Sequence, residues 1–223
     1  MRVVGLSGGI ASGKSTVSRL VTAHGIELID CDKLARDATR KGTWGWRRVV
    51  AAFGEEVLGP DGELDRERLG ALVFADPAAR RRLNAATHLP VALALARRLL
   101  LSWLACKLLV VVDMPLLFET KMFKMTRPNV LVACSDEQQL ERLLRRDGGS
   151  TERARARIAA QLPMEEKRRL ADIVVENDGT LEALQAKVDD LLTRLRRGTM
   201  VLGLLTSPIA VLVAIVAASA ALR

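Results

Sequence analysis

Tyrosine is absent from the 223 residues, and aromatic side chains of every kind are few. The three tryptophans, Trp44, Trp46 and Trp103, cannot make the stacking platforms that hold nucleic-acid bases. That scarcity argues against nucleic acid as the substrate. Histidine is scarce too, with two in the chain, and an isolated His88 reads as a surface or capping residue. The three cysteines, Cys31, Cys106 and Cys134, are odd in number and scattered, without metal-ligand spacing. They read as reduced, intracellular small hydrophobes rather than as a disulfide framework or a metal site. No signal or transit peptide is expected, because the first apolar strand starts at Arg2. No Asn-Lys-x-Asp motif appears, which argues against a GTPase, and no internal repeat stands out.

Apolar residues make up 49% of the chain, enough to bury a full core in one α/β domain with a small inserted lobe. Basic residues outnumber acidic ones by 34 to 26, giving a net charge of +8. One positive charge belongs to Arg223, so +7 sits on residues 1–198, where arginine far outnumbers lysine. Such a balance suits nonspecific attraction to polyanions, or guanidinium forks that pair with the phosphates of a small ligand. Composition alone does not choose between them.

Apolar runs over 2–6, 27–30, 108–113, 130–134 and 173–175 predict short strands. Helical stretches are expected over 14–23, across most of 33–98, over 136–170 with Gly148-Gly149-Ser150 as a turn, and over 180–197. Strands alternating with helices imply a doubly wound parallel sheet. The expected organisation is one α/β domain over 1–198, with a helical lobe over about 33–98 and an Arg-rich segment over about 136–170.

The segment Gly8-Gly9-Ile10-Ala11-Ser12-Gly13-Lys14-Ser15 matches G-x-x-x-x-G-K-[ST], with Thr16 extending it. A strand precedes it and a helix follows, which is the context the motif requires. Its glycines let backbone N–H groups turn inward around phosphates, and the helix start adds partial positive charge. Lys14 reaches for the β- and γ-phosphates of ATP, while the Ser15 hydroxyl suits Mg²⁺. Asp113 ends an apolar strand, as a magnesium-holding aspartate does, although a strand-end cap is the plainer use of that position. Asp30 and Asp32 follow the second strand, where one carboxylate suits a helix cap and the other, Asp32, a general base toward an acceptor hydroxyl. Arg142, Arg145, Arg146, Arg153, Arg155 and Arg157 crowd the 136–170 segment, with 142/146 and 153/157 each sharing a helix face. They suit equally a solvated basic face and a lid that closes over ATP.

The chain ends differently. From Thr199 to Leu222 no residue is charged. As a helix this stretch would run roughly 36 Å at 1.5 Å per residue, against a hydrocarbon core of about 30 Å. Arg194, Arg196 and Arg197 precede it and Arg223 alone follows. The expectation is a C-terminal membrane anchor over 199–223 with the preceding domain on the cytosolic side. A helix docked on the domain is the alternative.

Beyond these motifs, the chain resembles the dephospho-coenzyme A kinase family. The opening Val-Gly-Leu-Ser-Gly-Gly-Ile-Ala-Ser-Gly-Lys-Ser-Thr-Val carries the likeness. It continues through Ile29-Asp30-Cys31-Asp32, Phe53-Gly54, Asp61-Gly62-Glu63-Leu64-Asp65-Arg66, Leu69 and Val73-Phe74. Asp113-Met114-Pro115-Leu116-Leu117-Phe118-Glu119, Arg142, Arg146-Asp147, Gln161, Ala171-Asp172-Ile173-Val174 and Asn177 extend it to about residue 192. The resemblance implies a P-loop kinase fold with a parallel sheet, helical substrate lobe and lid, and phosphorylation by ATP of the ribose 3′-hydroxyl of dephospho-coenzyme A. It implies Asp32 as base, with Lys14 and Arg146 at the transferred phosphate. Gly8 to Thr16 would hold the ATP phosphates, Arg142 would lie on the lid side, and Asn177 near the adenine. Leu116, Phe118, Glu119 and His88 would face the coenzyme portion. Two departures stand out: Leu89 separates His88 from Pro90 where the family has His followed directly by Pro, and the apolar tail resembles the extended eukaryotic forms. Another P-loop kinase of a small metabolite, or a tethered nucleotide-binding protein, stays open on the residues alone.

Overall fold

A computed structural model describes residues 1–197 together with Thr199, Ser207 and Pro208. Five strands are described: β1 (Arg2–Gly8), β2 (Glu27–Asp30), β3 (Leu109–Asp113), β4 (Asn129–Ala133) and β5 (Ile173–Glu176). They form a parallel sheet in the order β2-β3-β1-β4-β5. The strands β3 and β4 are buried along their whole length, as continuous apolar runs in a parallel sheet require. Side chains alternate between the two faces. Val4, Leu6, Val111, Val130 and Val132 share one core with α1 (Lys14–Ala23) and α9 (Leu181–Arg197). Val110, Val112 and Leu131 on the other face are as deeply buried, so both faces are covered.

The helix α9 docks by a stripe at helical spacing: Leu184, Val188, Leu191, Leu192 and Leu195 are buried while its arginines face outward. The stripe meets Val17 and Val21 of α1. Cys134, just past β4, is buried as well, and that burial pushes its thiol pKa up. It is a small hydrophobe, not a reactive thiolate.

The chain divides into two compact units, Met1–Ile29 with Ser102 onward, and Asp30–Leu101. The second has its own core of Val49, Phe53, Val57, Leu64, Leu69, Ala79 and Ala86. It contains α2 (Cys31–Ala38), α3 (Trp44–Phe53), α4 (Arg66–Ala75) and most of α5 (Pro77–Leu104). The 28-residue α5 carries Pro90 in its interior, which has no N–H to give the Ala86 carbonyl. Arg48 of α3 supplies the missing donor: its Nε donates to Ala86 O at 3.0 Å and its Nη2 to Ala85 O at 3.1 Å. One guanidinium thus mends the interrupted ladder and ties α3 to α5.

Sequence reading of 136–170 predicts one helical hairpin, and the structure has three helices there: α6 (Asp136–Asp147), α7 (Thr151–Ala159) and α8 (Met164–Leu170). Pro163 accounts for the extra break, since it occupies the position before α8 and lacks the N–H to continue a helix. The apolar segment expected over 199–223 lies outside the described residues except at Thr199, Ser207 and Pro208. Among the described residues no helix is long and apolar enough to cross a membrane.

Candidate active site

The chain leaves β1 toward β2 on one side and leaves β4 toward β5 on the other, so a crevice opens between the carboxyl ends of these neighbours. The turn Gly9–Gly13 occupies that position, and α1 begins at Lys14. Its glycines leave no room for side chains. A Cβ on Gly8 would lie 2.6 Å from Ser12 Oγ and 3.0 Å from the Val132 carbonyl, and one on Gly13 would lie 2.1 Å from Asn177 Nδ2. Gly13 has φ of 94°, a left-handed conformation that favours glycine, and no side chain caps the helix it starts. An uncapped helix start with a tight backbone turn ahead of it is an anion site. Residues 8–15, with Pro115, Arg146 and Gln161, line a cavity of about 300 Å³ over this turn.

Lys14 Nζ lies 2.5 Å from Asp113 Oδ1, and Ser18 Oγ donates to Asp113 Oδ2 at 2.7 Å. The parallel register explains the meeting: Asp113 ends β3 opposite Leu6 of β1, beside the start of the turn. Its carboxylate is buried and has a cation on one oxygen and a hydroxyl on the other. Ser18 was not singled out in the sequence, although its spacing of four from Lys14 places both on one face of α1.

The profile of the family described as "Dephospho-CoA kinase" matches residues 2–183. A dephospho-CoA kinase of Arabidopsis thaliana is 49% identical over 197 residues, covering 88% of this chain and 85% of its own. One from Anaeromyxobacter dehalogenans is 49% identical over 198 residues, covering 89% and 94%. The chain belongs to the dephospho-CoA kinase family. Its fold is also that of a solved dephospho-CoA kinase from Campylobacter jejuni, with TM-score 0.69 at 24% identity, covering 90% of this chain and 100% of the other.

Within this dephospho-CoA kinase framework the two early aspartates divide their work. Asp30 caps α2, its Oδ1 accepting from the Lys33 N–H at 3.0 Å. Asp32 stands in the first turn of α2 with its carboxylate exposed. His88 is exposed on α5. Of the run after β3, Leu116 is 48% exposed, whereas Phe118 is 2% exposed and packs its ring 6.1 Å from that of Phe123. Phe118 therefore shapes this segment from inside, and Leu116 is the member that faces outward. Glu119 is held by Lys167 of α8 at 2.8 Å.

Asn177 follows β5 and is buried under the phosphate turn, its Nδ2 donating to Ser12 O at 2.8 Å. Its own carbonyl accepts from Arg142 Nη2 at 2.8 Å, and the same guanidinium reaches Gln138. Arg142 and Asn177 together brace the turn from behind. Arg146 instead lines the cavity over the turn, with its Nε donating to Asp147 Oδ1 at 2.7 Å and its Nη2 to Asp147 Oδ2 at 3.1 Å. Arg157 of α7 also binds Asp147, so this carboxylate clamps α6 to α7. Arg145 pairs on the surface with Glu141 at 2.5 Å. The arginine run thus separates into a braced member, a cavity member and solvated members, which spacing alone does not distinguish.

Hydrogen bonds from Arg146 and then Arg157 hold the Asp147 carboxyl down at about 2, from an ordinary value of 3.8. Because the folded value is depressed, the clamp stabilises fully above the ordinary value and is lost as pH falls through the folded one. Asp147→Asn is expected to lower the melting temperature at neutral pH, with the two proteins converging between about pH 4 and pH 2. Equal melting temperatures at pH 7 would show that the clamp contributes nothing.

Sequence reasoning missed Gln139 and Lys167 and gave no role to Gln161, which it names only as part of the family likeness; all three reach the turn or its neighbours. Lys167 stands in Met-Glu-Glu-Lys-Arg-Arg-Leu, which reads as a solvated charge run, yet it is 1% exposed. The one available signal was Pro163, which turns α8 back toward the sheet.

Proposed function

We propose that this chain transfers the γ-phosphoryl group of ATP to the ribose 3′-hydroxyl of dephospho-coenzyme A, releasing ADP and coenzyme A. Dephospho-CoA kinase activity follows from family membership, with 49% identity over 88% of the chain. The observation that carries the donor side is the tight turn, whose glycines admit no Cβ, that ends in an uncapped helix and a lysine. In this reading residues Gly8 to Thr16 surround the phosphates with backbone N–H groups. Lys14 exchanges part of its contact with Asp113 for the β- and γ-phosphates, and Arg146 turns from Asp147 toward the transferred group. Both cations offset the charge that spreads over the phosphoryl oxygens in transfer. Asp32 takes the proton from the acceptor hydroxyl while the new O–P bond forms and the bond to the ADP oxygen breaks. Leu116, Glu119 and His88 are the candidates for contact with the coenzyme portion.

Magnesium, held here by Ser15 and Asp113, would supply positive charge against the ATP phosphates. The donor set fits a hard cation: the exposed Ser15 hydroxyl at the start of α1 and the Asp113 carboxylate, directly or through water.

The direct test is to incubate the protein with Mg-ATP and a panel of hydroxyl acceptors that includes dephospho-coenzyme A, nucleosides and nucleotides. Phosphorylation of dephospho-coenzyme A at the 3′ position is expected to dominate. Transfer to a different acceptor alone would leave a P-loop kinase and remove the acceptor assignment.

The uncharged run over 199–222 supports a further part of the reading, attachment to a membrane through the C-terminal tail with the kinase units on the cytosolic side. Every residue given a role above precedes Thr199. Deleting residues 199–223 is therefore expected to move the protein from the membrane fraction to the soluble one and leave turnover nearly unchanged. A full-length protein that needs no detergent, or a truncation that unfolds, would make the tail a packed segment instead.

A further inference from the structure

Ile10 lies within the glycine-bracketed turn, and the two peptide groups that flank its Cα are each held by a glutamine side chain. Gln161 Oε1 accepts from the Ile10 N–H at 3.1 Å, and Gln139 Nε2 donates to the Ile10 carbonyl at 2.8 Å. Gln139 belongs to α6 and is 3% exposed, while Gln161 lies in the link between α7 and α8. The Gln161 amide is fixed in orientation by chemistry. Lys167 Nζ donates to Gln161 Oε1 at 3.2 Å, and an ammonium accepts nothing, so the oxygen must face it. Lys167 is in turn paired with Glu119 Oε1, which also accepts from the Leu162 N–H at 3.3 Å. The turn is pressed against this wall: a Cβ on Gly9 would lie 2.5 Å from Met164 Cε and 2.6 Å from Gln139 Nε2.

A phosphate-binding turn works only while its N–H groups converge, and rotating one peptide would aim a carbonyl dipole at the anion. We propose that Gln139 and Gln161 are positioning residues for ATP, locking the two successive peptide groups on either side of Ile10 so that the neighbouring N–H groups keep their aim. The Lys167–Glu119 pair holds Gln161 in its accepting orientation and links the turn to the segment after β3. Neither glutamine needs to touch the nucleotide. This inference rests on the phosphate-site part of the kinase reading and not on the identity of the acceptor.

The two glutamines differ in what they supply, an acceptor at 161 and a donor at 139, and that asymmetry is the test. Glutamate at either position adds one negative charge beside Ile10, but only at 161 does it keep the required bond. Equilibrium binding of ATP to the full chain is measured without acceptor, below each variant's melting transition. Gln139→Glu is expected to weaken ATP binding at least about tenfold, the effect of one net hydrogen bond, while Gln161→Glu, which keeps its bond but adds charge to the cavity wall, weakens it less than Gln139→Glu does. Gln139→Met and Gln161→Met remove each bond without adding charge, and each is expected to weaken ATP about tenfold. They decide the matter if a glutamate variant does not fold. Unchanged affinity in the folded methionine variants, or weakening by Gln161→Glu greater than by Gln139→Glu, overturns the proposal. Wild-type protein that binds ATP without phosphorylating dephospho-coenzyme A would remove the acceptor assignment and leave this inference standing.

Discussion

Lys14→Ala is expected to lower turnover at saturating substrates by about 10²-fold to 10³-fold or more, the effect of deleting one donor aimed at transition-state charge in a water-poor site. The geometry adds a second expectation. Asp113 is buried, and Lys14 is its cationic partner at 2.5 Å. Without the ammonium the carboxylate keeps only the Ser18 hydroxyl, so the variant should also melt at a lower temperature. Turnover and circular dichroism measured below that melting transition separate the two effects. A folded Lys14→Ala protein with wild-type turnover would falsify the phosphate-site assignment.

Asp32→Asn should lower turnover by about 10²-fold or more while leaving ATP affinity nearly unchanged. The amide has the shape of the carboxylate but cannot take the proton from the acceptor hydroxyl. A structural loss is not expected, because Asp30 caps α2 through the Lys33 N–H and Asp32 is exposed. Normal turnover at saturation would remove Asp32 from the chemistry and leave it an ordinary first-turn acidic residue.

The phosphate turn was legible in the sequence because its residues are contiguous and their backbone does the work. Asp113 was legible for a related reason, as it ends an apolar run and the register of a parallel sheet places it beside β1. What joins distant segments was not. Gln139 and Gln161 look like polar helix-surface residues, and only the packing of α6 and of the link before α8 against the turn brings both to Ile10. Lys167 sits among charged neighbours, and its burial depends on Glu119, 48 positions earlier in the chain by subtraction. The same limit applied to the arginines. Spacing placed Arg142 and Arg146 on one face, but it took the position of Asn177 and of Asp147 to give one a bracing contact and the other a place on the cavity wall.

The interleaving of the two units has a consequence for the order in which the protein can be assembled as it is synthesised. Residues 30–101 form one uninterrupted stretch with a core of their own, so the whole second unit has emerged before β3 is made. The first unit is completed last, because Val17 and Val21 of its first helix wait for Val188 and the leucines of α9. The phosphate turn, made among the first residues, gains its Asn177 brace only when nearly the entire described chain has followed. A nascent chain arrested before β5 would therefore carry the complete phosphate-binding motif and still lack the support that holds it in shape.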